Sequence, residues 1–117
     1  ITIPDSVTSI GGFAFSESNS LTNISIPDSV TIIESGTIYK CINLTSITIP
    51  EGVTSIGEWA FGYCTDMTSA EILGSVTSIS DSAFYNCTGL TSVSIPSSVT
   101  SISDSAFFYC SSLASVT

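Results

Sequence analysis

The four cysteines are the residues whose spacing most suggests chemistry. Cys41, Cys64, Cys87 and Cys110 follow one another at intervals of 23 residues. If that interval is a structural repeat, equivalent side chains lie parallel to one another about 4.8 Å apart. Parallel thiols do not converge as a disulfide requires, and four sulfurs in a line cannot surround a tetrahedral zinc ion. We therefore predict a buried ladder of free thiols and no metal site.

Carboxylates recur at the same interval in two rows. The rows are Asp5, Asp28 and Glu51, and Glu58, Asp81 and Asp104. A calcium site needs six to eight oxygen ligands around one point, whereas each row supplies one carboxylate per repeat. General acid–base chemistry needs two carboxylates in different environments of one cleft. We predict solvated acidic edges and no cofactor.

The composition excludes most catalytic and nucleic-acid-binding classes. The 117 residues carry a net charge of −9, contain no histidine and no arginine, and have Lys40 as their single basic residue. This composition excludes Ser-His-Asp and Cys-His nucleophiles, histidine-bound metals and arginine phosphate clamps. The negative charge would also repel nucleic acid. No apolar run approaches the roughly 18 residues of a membrane span. We predict a protein that is not an enzyme, with no nucleic-acid partner and no membrane span in this segment.

The 23-residue interval organises the whole chain, and each repeat is called a coil below. Numbering columns from 1 at its first residue, columns 1, 4, 6, 10, 13, 17, 18 and 21 are apolar in most coils. A coil with one apolar side must stack on its neighbours to bury it. We predict a single solenoid over residues 1–117, as part of a longer array, with coils at 1–20 (partial), 21–43, 44–66, 67–89, 90–112 and 113–117 (partial).

The pattern within a coil predicts its local structure. Columns 4 and 6 lie on one side of an extended strand, and a proline in column 7 ends that strand because it has no N–H for a ladder. Columns 10 and 13 predict a second short strand. The Asp/Glu-Ser-Ala-Phe stretch from column 15 predicts one or two turns of helix or 3₁₀ helix. The fold class is thus a repeat solenoid of mostly parallel β-structure.

A coil of the form LTSITIPxxVTSIGxxAFxxCxx, repeated along the entire chain, resembles the BspA-like, or Treponema-type, leucine-rich repeat family. This resemblance implies a right-handed leucine-rich-repeat superhelix. It also implies a cell-surface or secreted protein with an adhesion role, as found in mucosal bacteria and parasitic protists. Two coils depart from the pattern: Thr37-Ile38 replaces Ala-Phe, and Ala70, Glu71 and Leu73 replace the usual Ile, Ser/Thr and Pro.

Two surfaces are candidates for partner binding. The outward strand positions form a hydroxyl-rich face. Aromatic residues outside the core columns form a second group, which either packs along the grooves between the helical turns or stacks on a partner or sugar. An ice-binding role for the hydroxyl face is a minor alternative, which Glu71 and the many serines disfavour. The candidate residues are Ser46, Thr48, Ser69, Glu71, Ser92 and Ser94 on the first surface, and Trp59, Tyr63, Tyr85 and Tyr109 on the second.

Three sequons, at Asn23, Asn43 and Asn86, would accept N-glycans in a eukaryotic secretory pathway. The leading functional hypothesis is a cell-surface or secreted adhesion module that binds a protein or glycan. The chain shows no targeting signal and neither end is visibly capped, so we also expect that copies could stack end to end. A structural protein that assembles in this way is the alternative hypothesis.

Overall fold

The computed structural model describes residues 1–117 as a parallel β-solenoid with two four-stranded sheets. One sheet has the order β1-β3-β5-β7 and the other β2-β4-β6-β8. Each strand pairs with the residue 23 positions further on, as in Ser46 with Ser69 and Ile56 with Ile79. The strands are β1 Ile32–Ile33, β2 Ser46–Ile49, β3 Ser55–Ile56, β4 Ser69–Ile72, β5 Ser78–Ile79, β6 Ser92–Ser94, β7 Ser101–Ile102 and β8 Ser115–Val116.

The sheets lie where the columns predict them, and the core lies between them. In β2 and β4 exposed and buried residues alternate, so columns 4 and 6 point inward and columns 3 and 5 outward. Pro50 directly follows β2 and ends it. Twenty-seven buried residues from successive coils form one continuous hydrophobic cluster. The predicted parallel solenoid and its 23-residue coil are confirmed.

The prediction of a helical segment after column 15 is wrong, because the structure contains no helix. In coil 44–66 the N–H groups of Ala60 and Gly62 bond three residues back, but those of Phe61 and Tyr63 donate to carbonyls of the next coil at 2.8 and 2.7 Å. A helix would use every amide internally. This third side of the coil is therefore a series of turns that are hydrogen-bonded to the next coil. The structure has no helix long and apolar enough to span a membrane.

Left-handed backbone conformations separate those turns. Columns 16 and 20 have positive φ in most coils, with φ near 60° at Trp59 and 59° at Tyr63. Such a residue cannot continue a right-handed helix. Gly36 takes the same conformation in coil 21–43.

The coil without Ala-Phe keeps the same packing. Thr37 and Ile38 are fully buried in the positions of those residues. The Thr37 hydroxyl donates to the Glu34 carbonyl at 2.7 Å, which satisfies its polar group in the core. Ala70 and Ile72 of the other divergent coil are also buried. The two departures leave the solenoid intact.

Side-chain hydroxyls reinforce the contact between coils. Thr54, Thr77 and Thr100 each donate to the carbonyl of the threonine 23 residues earlier, at 3.1 to 3.3 Å. A second ladder does the same through Thr45, Thr68 and Thr91 in column 2. The 117 residues include 25 serines and 15 threonines, and bonds between coils account for part of this high content.

The stacked phenylalanines of column 18 give a direct test of this packing. Phe84 is fully buried, and its ring lies 5.1 Å from those of Phe61 and Phe107. We expect Phe84→Ala to lower the free energy of unfolding by about 3–5 kcal/mol in urea denaturation, because it removes two ring contacts and leaves a cavity. The control Phe108→Ala, at a half-exposed ring, should cost about 1 kcal/mol or less. Equal losses for the two variants would contradict the packing described.

Candidate functional site

The predicted hydroxyl-rich face is the outer surface of the β2-β4-β6-β8 sheet. Its six candidate residues occupy two registered rows, Ser46, Ser69 and Ser92, and Thr48, Glu71 and Ser94. Five of them are exposed and Ser92 is half-buried. The structure therefore brings all six together on one face.

Two shallow depressions mark this face. One, of about 380 Å³, lies beside Ser69, Glu71, Ser92 and Ser94. The other, of about 250 Å³, is lined by Ser46 and Thr48 together with Pro50 and Leu73. Both depressions are open to solvent, so neither encloses a ligand as a typical small-molecule site does.

Aromatic side chains form a continuous surface on the third side of the coil, called the aromatic strip. Neighbouring ring centroids lie 4.3 to 6.2 Å apart over five successive coils. Its members are Phe13, Tyr39, Trp59, Tyr63, Tyr85, Phe108 and Tyr109. All four aromatic candidates from the sequence belong to it, and they lie on a different side of the coil from the hydroxyl-rich face.

The strip is partly packed and partly free. Trp59, Tyr63 and Tyr85 are half-buried, whereas Phe108 and Tyr109 are 50% and 59% exposed. The rings of Trp59 and Tyr63 are nearly parallel, at 4° with centroids 6.2 Å apart. Desolvation, together with the phenols of Tyr63 and Tyr109, raises the pKa of Tyr85. The rings pack on one another between coils, and each still presents surface to solvent.

Lys40 also belongs to this surface, although it was not among the residues predicted to form it. Its ammonium nitrogen lies 5.4 Å from the ring centroid of Tyr39 and 6.0 Å from that of Tyr63. These distances are within the range of a cation–π contact. The signal in the sequence is that Lys40 shares column 20 with Tyr63 and Tyr109.

The cysteines form the predicted ladder of free thiols, with Cys41, Cys64 and Cys87 buried and Cys110 half-buried. Each thiol donates to a carbonyl 26 residues earlier at 3.0 to 3.2 Å, as Cys64 does to Ile38. Burial raises the pKa of Cys41, and burial with the neighbouring Cys41 thiol raises that of Cys64 to about 12. Cys41, Cys64 and Cys87 are hydrogen-bond donors of the core, and their raised pKa values do not favour a nucleophilic thiolate. The pKa of the half-buried Cys110 is instead lowered, chiefly by its interaction with the neighbouring Cys87 thiol.

The remaining candidate groups lie apart from one another. The structure brings no three metal-ligating side chains together. Asp81 instead accepts hydrogen bonds from the Ser105 amide and the Ser82 hydroxyl. Asn23 and Asn43 are exposed, the Asn43 amide donates to the Asn19 carbonyl, and Asn86 is half-buried. N-glycosylation at the three sequons stays a prediction.

The comparisons with known proteins agree with this architecture. The family model for the BspA type leucine rich repeat region matches residues 1–114 in six copies. The chain therefore belongs to the BspA-type leucine-rich repeat family. No curated protein matches it in sequence.

Two solved structures share its fold. A leucine rich cell surface protein of Faecalibacterium prausnitzii A2-165 is 35% identical with a TM-score of 0.96, over 99% of this chain and 31% of that one. The leucine-rich repeat protein of T. pallidum is 29% identical with a TM-score of 0.91, over 99% of this chain and 56% of that one. The chain thus spans about a third and just over half of the lengths of these two relatives.

The raised pKa of Cys64 predicts a pH dependence of stability. The thiol ionises near 9.0 in the unfolded chain and near 12 in the folded one. Since ionisation above pH 9 favours the unfolded state, the contribution of Cys64 is complete below pH 9 and is lost as the pH rises towards 12. The stability of wild type relative to Cys64→Ala, from urea denaturation under reducing conditions, should therefore fall across this range. Parallel pH profiles would contradict the assignment.

Proposed function

We propose that this chain is a non-enzymatic binding module of a cell-surface or secreted protein, and that it binds a protein or glycan partner through the aromatic strip. The observation that carries the proposal is the strip itself. Seven rings make one contact surface, although Ser16, Gly62, Ser82 and Ser105 occupy the same columns without loss of the coil. A surface that the scaffold does not need is available for recognition.

The kind of residue supports the same role. Tryptophan and tyrosine contribute a large share of the binding energy in protein interfaces, because they bury wide apolar surfaces while keeping a polar group. The six candidate residues of the hydroxyl-rich face include no aromatic side chain. We therefore assign the main contact to the strip and treat the sheet face as the comparison surface.

The repeat supplies substitutions that test the proposal with little risk to folding. Trp59→Ser, Tyr63→Asn and Tyr85→Ser replace each ring by the residue that another coil has in the same column, such as Ser82, Asn86 and Ser16. Both Ser82 and Asn86 have the left-handed φ that their columns require. The combined triple variant should therefore keep the solenoid, which circular dichroism and thermal unfolding would verify.

Binding is measured on arrays of purified extracellular-matrix proteins and glycans. For any bound partner, we expect the triple strip variant to bind at least about 30-fold more weakly, as for loss of an interface hot spot. The control variant carries Thr48→Ser, Glu71→Ser and Ser92→Asn on the sheet face, again using residues that other coils have in the same columns. It should keep wild-type affinity. Full binding by the strip variant, or loss confined to the sheet variant, would contradict the proposal.

End-to-end assembly is the alternative function, and an exposed apolar side chain in the last coil supports it. Ile102 is 45% exposed, whereas Ile79 in the preceding coil is 1% exposed. Further coils of a longer chain or a second copy would cover this face. If copies assemble, light scattering of the 117-residue chain should show a mass that rises with concentration, and Ile102→Lys should abolish the rise. A monomer at every concentration would exclude assembly of this segment.

A further inference from the structure

The chemistry around the aromatic strip indicates what kind of partner it fits. We propose that the strip recognises a cationic segment of a partner protein, with arginine or lysine side chains placed over its rings. This inference rests on the proposed binding function and names the partner's chemistry. Three independent features lead to it.

The first feature is the Lys40 ammonium group, which already contacts rings of the strip. Lys40 is the only basic side chain of the molecule, which has ten carboxylates. Its ammonium nevertheless lies over the rings of Tyr39 and Tyr63. The ring faces of this surface therefore accept a cation in the folded protein, because the negative face of an aromatic ring attracts it.

The second feature is a row of carboxylates along the edge of the strip. Glu58, Asp81 and Asp104 occupy column 15, immediately before the column of Trp59, and all three are exposed. One basic side chain cannot neutralise this row. A cation over a ring would thus have a carboxylate within the same coil, an arrangement that strengthens attraction to positive groups.

The third feature is repetition. Coils 44–66, 67–89 and 90–112 each place at least one aromatic side chain of the strip and one carboxylate of the row on the same side of the solenoid. A segment with several positive side chains could therefore bind several coils at once. Arginine suits this surface best, because its planar guanidinium stacks on rings and pairs with carboxylates.

The net charge favours this partner over other polymers. At −9 the molecule attracts basic segments and repels nucleic acids and sulfated glycans. A neutral glycan could stack on rings, but it would gain nothing from the acidic row. Lys40 and the carboxylates together favour a basic protein segment, and a neutral glycan is an outcome that the experiment distinguishes.

Trp59 provides the measurement, since it is the only tryptophan and lies within the strip. Its fluorescence is followed during titration with a deca-arginine peptide, a deca-glutamate peptide and a neutral cello-oligosaccharide. We expect deca-arginine alone to change the emission. Its apparent Kd should rise at least tenfold between about 0.05 and about 0.5 M salt, as screening weakens the attraction.

Two matched triple variants separate the acidic row from general charge. Glu58→Gln, Asp81→Asn and Asp104→Asn should raise the Kd at least tenfold, and the amide oxygen introduced by Asp81→Asn can still accept the hydrogen bond from the Ser105 amide. The control variant carries Asp5→Asn, Asp28→Asn and Glu51→Gln. It removes the same charge from column 8, in the exposed turn that connects the strands of the two sheets, and should change the Kd less than threefold. An equal effect of both variants would overturn the proposal, because binding would then follow net charge alone.

Lys40→Asn gives a prediction of opposite sign. It removes the cation that occupies the rings, and Asn86 shows that column 20 accepts asparagine with a left-handed φ. We expect deca-arginine to bind at least threefold more tightly to this variant. Unchanged or weaker binding would contradict the role given to Lys40.

The failure of this inference differs from the failure of the proposed function. If the oligosaccharide binds at Trp59 and deca-arginine does not, the cationic partner is wrong while the strip remains a binding surface. If no probe binds, and the array partners bind the triple strip variant as tightly as wild type, both are wrong. The triple strip variant lacks Trp59, so its binding is measured by isothermal titration calorimetry alongside wild type. Deca-arginine binding that this variant retains would also overturn the inference.

Discussion

Hydrogen bonding between coils in a fixed register is the constraint on which the rest of the structure depends. Only 10 of the 61 backbone hydrogen bonds lie within the strands, and many of the others join equivalent columns of neighbouring coils across turns and connections. The same register lets the threonine hydroxyls and the cysteine thiols donate to carbonyls of the preceding coil. Because buried backbone groups must find partners, a coil of another length would lose bonds on all sides at once.

The surface follows from that register. Equivalent side chains come within contact distance of one another, so a residue type repeated in a column becomes a row. Where a column must be apolar the row is core, as for the stacked rings of Phe61 and Phe84. Where a column is free, the residues chosen there define a surface that the scaffold does not require. The aromatic strip and its neighbouring carboxylates are such rows, which is why we place recognition there.

The sequence predicted the solenoid, both strand positions and the free thiol ladder, because the 23-residue period fixes which residues are neighbours. It did not predict the turns of the third side. Ala60 and Phe61 point inward in a manner that a helix would also produce, and the left-handed conformations of Trp59 and Tyr63 are unusual for bulky residues. The contact of Lys40 with the rings was equally hidden, since it depends on lateral distances between columns that a period does not specify.

Amide hydrogen exchange followed by NMR tests the hydrogen-bond register most directly on the third side of the coil, where the predicted helix was wrong. The structure predicts that the amides of Phe61 and Tyr63, which donate to Ala83 and Tyr85 of the next coil, exchange as slowly as the ladder amide of Thr54. The amides of Ala60 and Gly62, held only by local turns, should exchange faster. Equal protection of all four, as in a helix, or fast exchange at Phe61 and Tyr63, would contradict the account.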